Sequence, residues 1–200
     1  MRKIVLTGGP CAGKTTVLGV VRQQFAGQVI VVPETATMLL SGGFPFPGKD
    51  IRWSLEWQAA FQSAVLPVQI QMEAAYELKA AEEGASLLIC DRGRLDGAAY
   101  TQGGLDQFCR IYGVNAEETY TVYHSIFHLE SVAVGDPNFY GQANNSARFE
   151  DAEEARALEL NTRAAWQKHP NWTLVSCIGG LEGKIRAVCQ SLRWIIAERR

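Results

Sequence analysis

The sequence is poor in the features that membrane proteins and nucleic-acid-binding proteins need. Its apolar runs stay far below the ~20 residues of a membrane-spanning helix. Its 19 Lys and Arg are balanced by 21 Asp and Glu, which gives a formal net charge of −2. No basic run stands out from that balance. We therefore expect neither a membrane span nor a nucleic-acid partner.

The cysteines and histidines indicate neither a metal site nor a disulfide framework. The five cysteines show no C-x-x-C spacing, and the three histidines share no metal-ligand spacing. This pattern favours free thiols and structural histidines over a zinc site. The first predicted strand begins at the third residue, so we expect no signal peptide. We expect a cytoplasmic protein.

Strand-like and helix-like segments alternate along the whole chain. Internal repeats, low-complexity tracts and linkers are absent, and 47% of the 200 residues are apolar. The sequence thus predicts a single domain over residues 1–200, of α/β class, with a parallel sheet between helices on both faces. The expected strands span residues 3–6, 29–32, 86–90, 125–129 and 173–176.

The stretch GGPCAGKT, residues 8–15, directly follows the first apolar run. Two glycines four residues apart, followed by Lys14 and Thr15, match a phosphate-binding loop. Such a loop turns its N–H groups toward phosphate oxygens, the lysine contacts the β- and γ-phosphates, and the hydroxyl ligates Mg²⁺. We expect ATP and Mg²⁺ as ligands, with GTP as the alternative nucleotide. The predicted nucleotide-binding residues are Gly9, Pro10, Cys11, Ala12, Gly13, Lys14, Thr15 and Thr16.

The end of the third strand carries Asp91 and Arg92. In a parallel sheet this edge lies beside the phosphate loop, where an acid assists Mg²⁺ binding and a guanidinium stabilises the transferring phosphoryl group. The alternatives are an Asp91 that only caps the turn and an Arg92 that pairs with Asp96.

The end of the second strand carries Glu34. A carboxylate there can take the proton from an acceptor hydroxyl as the hydroxyl attacks the γ-phosphate. The alternative is a carboxylate that only stabilises the start of the next helix.

Residues 130–150 form a long irregular stretch, which is typical of a lid or a binding loop. Arg148 at its end can cover the phosphates and exclude water. Alternatively, Arg148 pairs with the acidic residues that follow it. Glu150 is the candidate that binds a sugar hydroxyl, although the acidic run around it favours a solvated carboxylate.

The beginning of the predicted long helix interleaves aromatic rings and amides. Trp57 and Phe61 lie four residues apart, as do Gln58 and Gln62. Rings that stack and an amide that pairs with a base edge are what a base-binding pocket requires. The alternative is ordinary core for the rings and surface for the amides.

With these residues placed, the chain resembles the phosphate-loop small-molecule kinases. One branch that it resembles is the AAA_28 group of ATP- and GTP-binding domains, which includes a ribosylnicotinamide-kinase domain. That likeness covers nearly the whole chain. It rests on residues 8–16, Pro33-Glu34, Phe61-Gln62, Asp91-Arg92-Gly93 with Asp96-Gly97, and residues 145–150.

The chain is also similar to deoxynucleoside kinases. The matching residues are Pro33-Glu34, Arg52-Trp53-Ser54 with Trp57-Gln58, and Asp91-Arg92-Gly93. This resemblance implies the strand order 2-3-1-4-5. It also implies that Glu34 is the general base, Gln58 or Gln62 reads the base, and Arg92 and Arg148 hold phosphates.

Together these observations predict an ATP-dependent kinase of a small, nucleoside-like acceptor. The second hypothesis is an ATP- or GTP-binding regulatory module that acts through a protein partner. The sequence leaves the oligomeric state open, a homodimer included.

Overall fold

A central sheet of five parallel strands organises the computed structural model, which describes residues 1–135 and 152–198. The strand order β2-β3-β1-β4-β5 confirms the order that the resemblance implied. The observed strands agree with the predicted ones to within about two residues at each end. They are β1 (Arg2–Thr7), β2 (Val29–Val32), β3 (Leu87–Asp91), β4 (Ser125–Leu129) and β5 (Trp172–Val175).

Helices connect the strands and cover both faces of the sheet. In the described part of the chain, no helix combines the length and the apolar character needed to cross a membrane. A 3₁₀ helix, Asp96–Tyr100, follows β3. The α-helices are α1 (Lys14–Gln24), α2 (Thr35–Ser41), α3 (Leu55–Glu82), α4 (Gly104–Tyr112), α5 (Ala116–Val122), α6 (Val132–Gly135), α7 (Ala152–Trp166) and α8 (Gly180–Ala197).

The central strand β1 contributes to two separate cores. Ile4 and Leu6 pack into a cluster that includes Leu192 of α8, whereas Val5 belongs to the cluster that holds Trp166 of α7. Successive side chains of a strand point to opposite faces, so a continuous apolar run fits a strand that is covered on both sides. Each fully buried side chain of this kind contributes roughly 1.5–3 kcal/mol.

One segment differs from the sequence-based expectation. Helix α7 ends at Trp166, and two tight turns follow in which the His169 N–H binds the Trp166 carbonyl and the Trp172 N–H binds the His169 carbonyl. Residues 132–135, expected to be irregular, form the short helix α6.

The carboxyl ends of four strands place the candidate residues at one edge of the sheet. β1 runs directly into the phosphate loop, β2 into Glu34, and β3 ends at Asp91. β4 ends immediately before Glu130. This edge is where open parallel sheets bind their ligands.

Candidate active site

The loop between β1 and α1 has the backbone conformation of an anion-binding cradle. Gly8 and Gly13 have φ values of 135° and 88°, and Cys11 also has a positive φ, 59°. The N–H groups of the first turn of α1 have no partner within the helix. Lys14 Nζ donates to the carbonyls of Gly8 (2.9 Å) and Gly9 (3.1 Å), so the ammonium lies over the loop. The loop therefore has positive-φ residues and a cation beside its carbonyls, and binding of nucleotide by residues 9–16 stays a prediction.

Two side chains from distant parts of the chain fix the carbonyls on the outside of this loop. Ser131 Oγ donates to the Pro10 carbonyl, and Lys184 Nζ donates to the Ala12 carbonyl at 3.0 Å. Lys184, which is 3% exposed, also donates to the Glu130 carbonyl at 2.6 Å. The loop is therefore held by the segment that follows β4 and by α8 as well as by its own glycines.

A third anchor comes from α7. Glu159 Oε2 accepts the Gly9 N–H at 2.6 Å, and Glu159 Oε1 lies 2.7 Å from His128 Nε2. Sequence analysis did not identify Glu159, which is 150 residues from its partner in the loop. The only available signal was an acidic residue among the apolar positions of the helix.

An ion pair joins the ends of β2 and β3. Arg92 Nε donates to Glu34 Oε1 at 2.5 Å, and Arg92 Nη1 donates to Asp96 Oδ1 at 3.1 Å. Arg92 Nη1 also lies 3.4 Å from the Gly8 carbonyl, directly beside the phosphate loop. The Asp96 pairing, which the sequence left open as the alternative, is present, and a contact of Arg92 with phosphate stays a prediction. Arg92 has a φ of 70°, an uncommon conformation for a residue with a side chain.

Asp96 is the carboxylate that holds this corner together. It is 3% exposed and accepts from Thr7 Oγ1 (2.5 Å), the Gly93 N–H (2.9 Å) and Trp166 Nε1 (3.0 Å), in addition to Arg92. Sequence analysis saw Asp96 only as a partner of Arg92. Its wider role depends on Thr7 and Trp166, which no local pattern connects with it.

The charges at this edge shift one another's protonation. Burial lowers the pKa of Lys14 to about 8, and the nearby Arg92 cation acts in the same direction. Burial works to raise the pKa of Glu34, but the cations Arg92 and Lys14 and the Thr37 hydroxyl outweigh it and lower that pKa to about 2. Glu34 is therefore a carboxylate at neutral pH.

Asp91 is a buried carboxylate with one oxygen that lacks a hydrogen-bond partner among the described residues. Burial, and then the Glu34 charge, raise the pKa of Asp91 to about 6. Its Oδ1 is buried and has no hydrogen-bond partner among the described residues. In the same ranges, no group of three or more His, Cys, Asp or Glu residues is arranged to hold a metal. This donor set fits Mg²⁺, which usually keeps several waters and binds one or two protein groups plus substrate phosphates. Thr15, whose side chain is exposed at the start of α1, and Asp91 would hold it.

A cavity of about 1230 Å³ begins at Glu34 and Arg92 and extends along α3 and α7. All four predicted substrate-binding residues of α3 line it. Phe61 and Gln62 are buried, whereas Trp57 and Gln58 are half-buried. Gln62 makes no hydrogen bond to any described residue, so its amide is available to a ligand. These four residues are Trp57, Gln58, Phe61 and Gln62.

The rings at this cavity also pack on one another. Trp57 and Phe61 stack with centroids 5.0 Å apart and planes 16° apart, and Phe44 lies 5.1 Å from Phe61. Trp57 Nε1 donates to the Pro45 carbonyl at 2.9 Å. These aromatic side chains therefore pack on one another to form one wall of the cavity, the ring wall.

A buried polar chain supports this wall from behind. Gln69 Oε1 accepts from Thr35 Oγ1 at 2.6 Å, and Gln69 Nε2 donates to Glu73 Oε1 at 3.1 Å. Glu73 also accepts two hydrogen bonds from Arg94, at 3.1 and 2.8 Å. Thr35 follows Glu34 directly, so this series of hydrogen bonds connects α3 to the end of β2 that carries Glu34.

Arg148 and Glu150 lie outside the residues that the structure describes. Their predicted contacts with phosphate and with a sugar hydroxyl stay predictions.

Comparisons with known proteins agree with this fold. A sequence model of the AAA domain family matches residues 3–182. The fold is similar to that of deoxyadenosine kinase from M. mycoides with bound dATP, with a TM-score of 0.62 and 14% identity, covering 96% of this chain and 100% of that one. The same kinase with the products dCMP and a flexible dCDP gives a TM-score of 0.61 at 14% identity, covering 96% and 99%. No curated protein sequence matches the chain.

Proposed function

Because the chain belongs to the AAA domain family and has the fold of a P-loop kinase, we propose that it is an ATP-dependent kinase. The γ-phosphate is transferred to a hydroxyl group of a small, nucleoside-like acceptor. One observation carries the proposal. The cavity of about 1230 Å³ begins at Glu34 and Arg92, and Arg92 also lies 3.4 Å from the loop carbonyl of Gly8. A second ligand thus has a place next to the γ-phosphate.

In this proposal the phosphate loop binds ATP. The N–H groups at the start of α1 and the ammonium of Lys14 neutralise the β- and γ-phosphates. Mg²⁺, held by Thr15 and Asp91, would supply further positive charge to the phosphate oxygens. Arg92, at the boundary between loop and cavity, stabilises the charge that develops on the transferring group.

Glu34 is the group that prepares the acceptor. Its carboxylate accepts the proton of the acceptor hydroxyl, the oxygen forms a bond to the γ-phosphorus, and the bond to the β-phosphate oxygen breaks to release ADP. Arg92 orients Glu34 through the 2.5 Å ion pair. Gln62 and the ring wall of Trp57 and Phe61 supply contacts for a planar base.

A nucleoside-like acceptor is supported by three features. The cavity offers a buried amide with no hydrogen-bond partner among the described residues, stacked rings and a carboxylate, which are the groups that contact a base and a sugar hydroxyl. Two of the structures with a similar fold are of a deoxyadenosine kinase, one of them with dATP bound. ATP rather than GTP, and the position of the phosphorylated hydroxyl, are part of the proposal.

The ion pair also favours a second candidate function. A carboxylate whose pKa lies near 2 is a weak proton acceptor, so a slow or absent transfer would fit a regulatory module. Such a module would bind ATP or GTP and act through a protein partner.

Single-turnover phosphotransfer from radiolabelled ATP to a panel of nucleosides decides between the two. The variant is Glu34→Gln, and the matched control is Glu117→Gln on the exposed side of α5. A kinase predicts loss of transfer in Glu34→Gln, unchanged ATP affinity, and full activity in the control. If no nucleoside accepts phosphate, and slow ATP hydrolysis is the same in both variants, the regulatory module is the better description.

A further inference from the structure

Helix α7 separates the phosphate loop from part of the acceptor cavity. Leu158 and Asn161 line the cavity, whereas Glu159, which is 2% exposed, faces the loop. Neighbouring residues of one helix therefore contact the sites that we assign to the two substrates.

The carboxylate of Glu159 is fully engaged. It accepts the Gly9 N–H at 2.6 Å on Oε2 and faces His128 Nε2 at 2.7 Å on Oε1. The backbone N–H of Ser131 also contributes a hydrogen bond. An ionised carboxylate only accepts hydrogen bonds, so His128 donates from Nε2. Its other nitrogen, Nδ1, is buried and has no partner among the described residues.

The loop and the helix are in direct contact at this point. A methyl group placed on Gly9 would lie 2.7 Å from Glu159 Oε2 and 3.0 Å from its Cα. There is no room for a side chain between them. A shift of the loop at Gly9 must therefore move α7 or break the hydrogen bond to Glu159.

The position of this charge is unusual for a residue that only fills space. A carboxylate beside a triphosphate site repels the ligand, and an apolar side chain would pack without that penalty. What the carboxylate provides is a short, charge-assisted bond that fixes the direction of the Gly9 N–H.

We propose that Glu159, oriented by His128, is a positioning residue that fixes the phosphate loop and couples nucleotide binding to the wall of the acceptor cavity. The proposal rests on the proposed function in that it takes the loop as the nucleotide site and the cavity as the acceptor site. Binding of nucleotide then orders α7, and α7 presents Leu158 and Asn161 to the second substrate.

The test compares the full-length protein with Glu159→Gln. Gln can accept the Gly9 N–H, but its amide then meets His128 Nε2. The imidazole must move its proton to the buried, partnerless Nδ1, or the contact breaks. The control Glu153→Gln removes the same charge from an exposed position of α7. Three measurements are made: calorimetric affinity for Mg²⁺ with a non-hydrolysable ATP analogue, thermal unfolding, and hydrogen exchange of residues 152–166 with and without the analogue.

We expect Glu159→Gln to weaken analogue binding about tenfold, within the usual range of coupling between two sites. The analogue should slow exchange of residues 152–166 in the wild type and in the control. In Glu159→Gln, saturating analogue should slow hydrogen exchange of α1 but not of residues 152–166. A purely structural role would lower the unfolding temperature and leave affinity and the α7 protection unchanged, and that result overturns the proposal.

Further outcomes keep the test decisive. If Glu159→Gln does not fold, Glu159→Asp replaces it, because it retracts the carboxylate while keeping its charge, and it should give the same pattern. The wild type alone also tests the coupling: if the analogue does not change the hydrogen exchange of α7, the coupling is refuted. If the wild type does not bind the analogue at all, it is the proposed function that fails. If it binds the analogue but phosphorylates no nucleoside, the coupling is still measured.

Discussion

Arg92 Nε lies 2.5 Å from Glu34 Oε1, so the phosphate-stabilising cation and the base of the proposed reaction form one ion pair in the free protein. The same guanidinium reaches Asp96 at 3.1 Å and the phosphate loop at 3.4 Å. The planar guanidinium of Arg92 therefore fixes the acceptor side of the proposed site relative to the nucleotide side.

Arg92→Lys should fail to replace Arg92. A lysine is a single point donor, and it cannot serve Glu34 and Asp96 with the rigid fork of a guanidinium. We expect single-turnover transfer to fall about 100- to 1000-fold, while ATP affinity changes much less. Arg110→Lys, on the exposed face of α4, is the matched control. Wild-type transfer rates in Arg92→Lys would show that its charge alone matters.

ATP affinity should depend on pH through Lys14. Burial lowers the pKa of this amine to about 8 in the free protein, and a bound triphosphate favours its charged form and raises the pKa. Affinity is therefore greatest below pH 8 and falls as the pH rises through 8 toward the pKa in the complex. Calorimetry between pH 7 and 9.5 measures the fall. Lys14→Ala should bind about 10- to 100-fold more weakly and without this pH dependence. A flat profile in the wild type would contradict the assignment.

Asp91→Asn should change both the stability of the folded protein and its requirement for Mg²⁺, and the two effects are measured separately. The pKa of Asp91 in the folded protein, about 6, lies above its unfolded value of about 4. The folded state therefore binds the extra proton, and stability falls as the pH rises from about 4 through 6. Above that range the buried charge destabilises the protein. Asn removes the charge, so the variant should unfold at a higher temperature than the wild type at pH 7.5.

The same Asp91→Asn variant should need about tenfold more Mg²⁺ for half-maximal phosphotransfer, because the amide is a weaker ligand than a carboxylate. Asp106→Asn, on α4, is the control for loss of a carboxylate. An unchanged Mg²⁺ requirement would remove Asp91 from the metal site even if the stability change appears.

Gln62→Leu should identify which amide reads the acceptor. Gln62 is buried, lines the cavity and makes no hydrogen bond to a described residue, whereas Gln58, one turn earlier on the same face of α3, is half-buried. Loss of paired hydrogen bonds to a base costs about 1–3 kcal/mol, so KM for the acceptor should rise about tenfold or more. Gln58→Leu should change KM much less. The opposite ranking would assign the contact to Gln58.

Sequence reasoning predicts the parts of this site that are local in the chain. The loop before Lys14 has a defined spacing, and the strands next to Glu34 and Asp91 are short apolar runs, so their ends were placed correctly. The order of the strands came from a resemblance, because right-handed connections alone leave several orders open.

What the sequence does not reveal are contacts that arise from packing. Glu159 meets Gly9 across 150 residues, and Asp96 meets Trp166 across 70. His128, interpreted as structural, is buried next to Glu159 and orients it. No periodicity or spacing encodes such meetings. The single domain, the homodimer and the roles of Arg148 and Glu150 stay predictions.

None of the described residues that line the cavity belongs to the loop of residues 8–16. Arg92 lines the cavity and also lies 3.4 Å from the Gly8 carbonyl, so we expect the two ligands to meet beside Arg92 and its partner Glu34. An inhibitor that joins a nucleoside to a polyphosphate would then pass its linker beside this ion pair. The shortest linker that still binds tightly would then measure the distance between acceptor oxygen and γ-phosphorus.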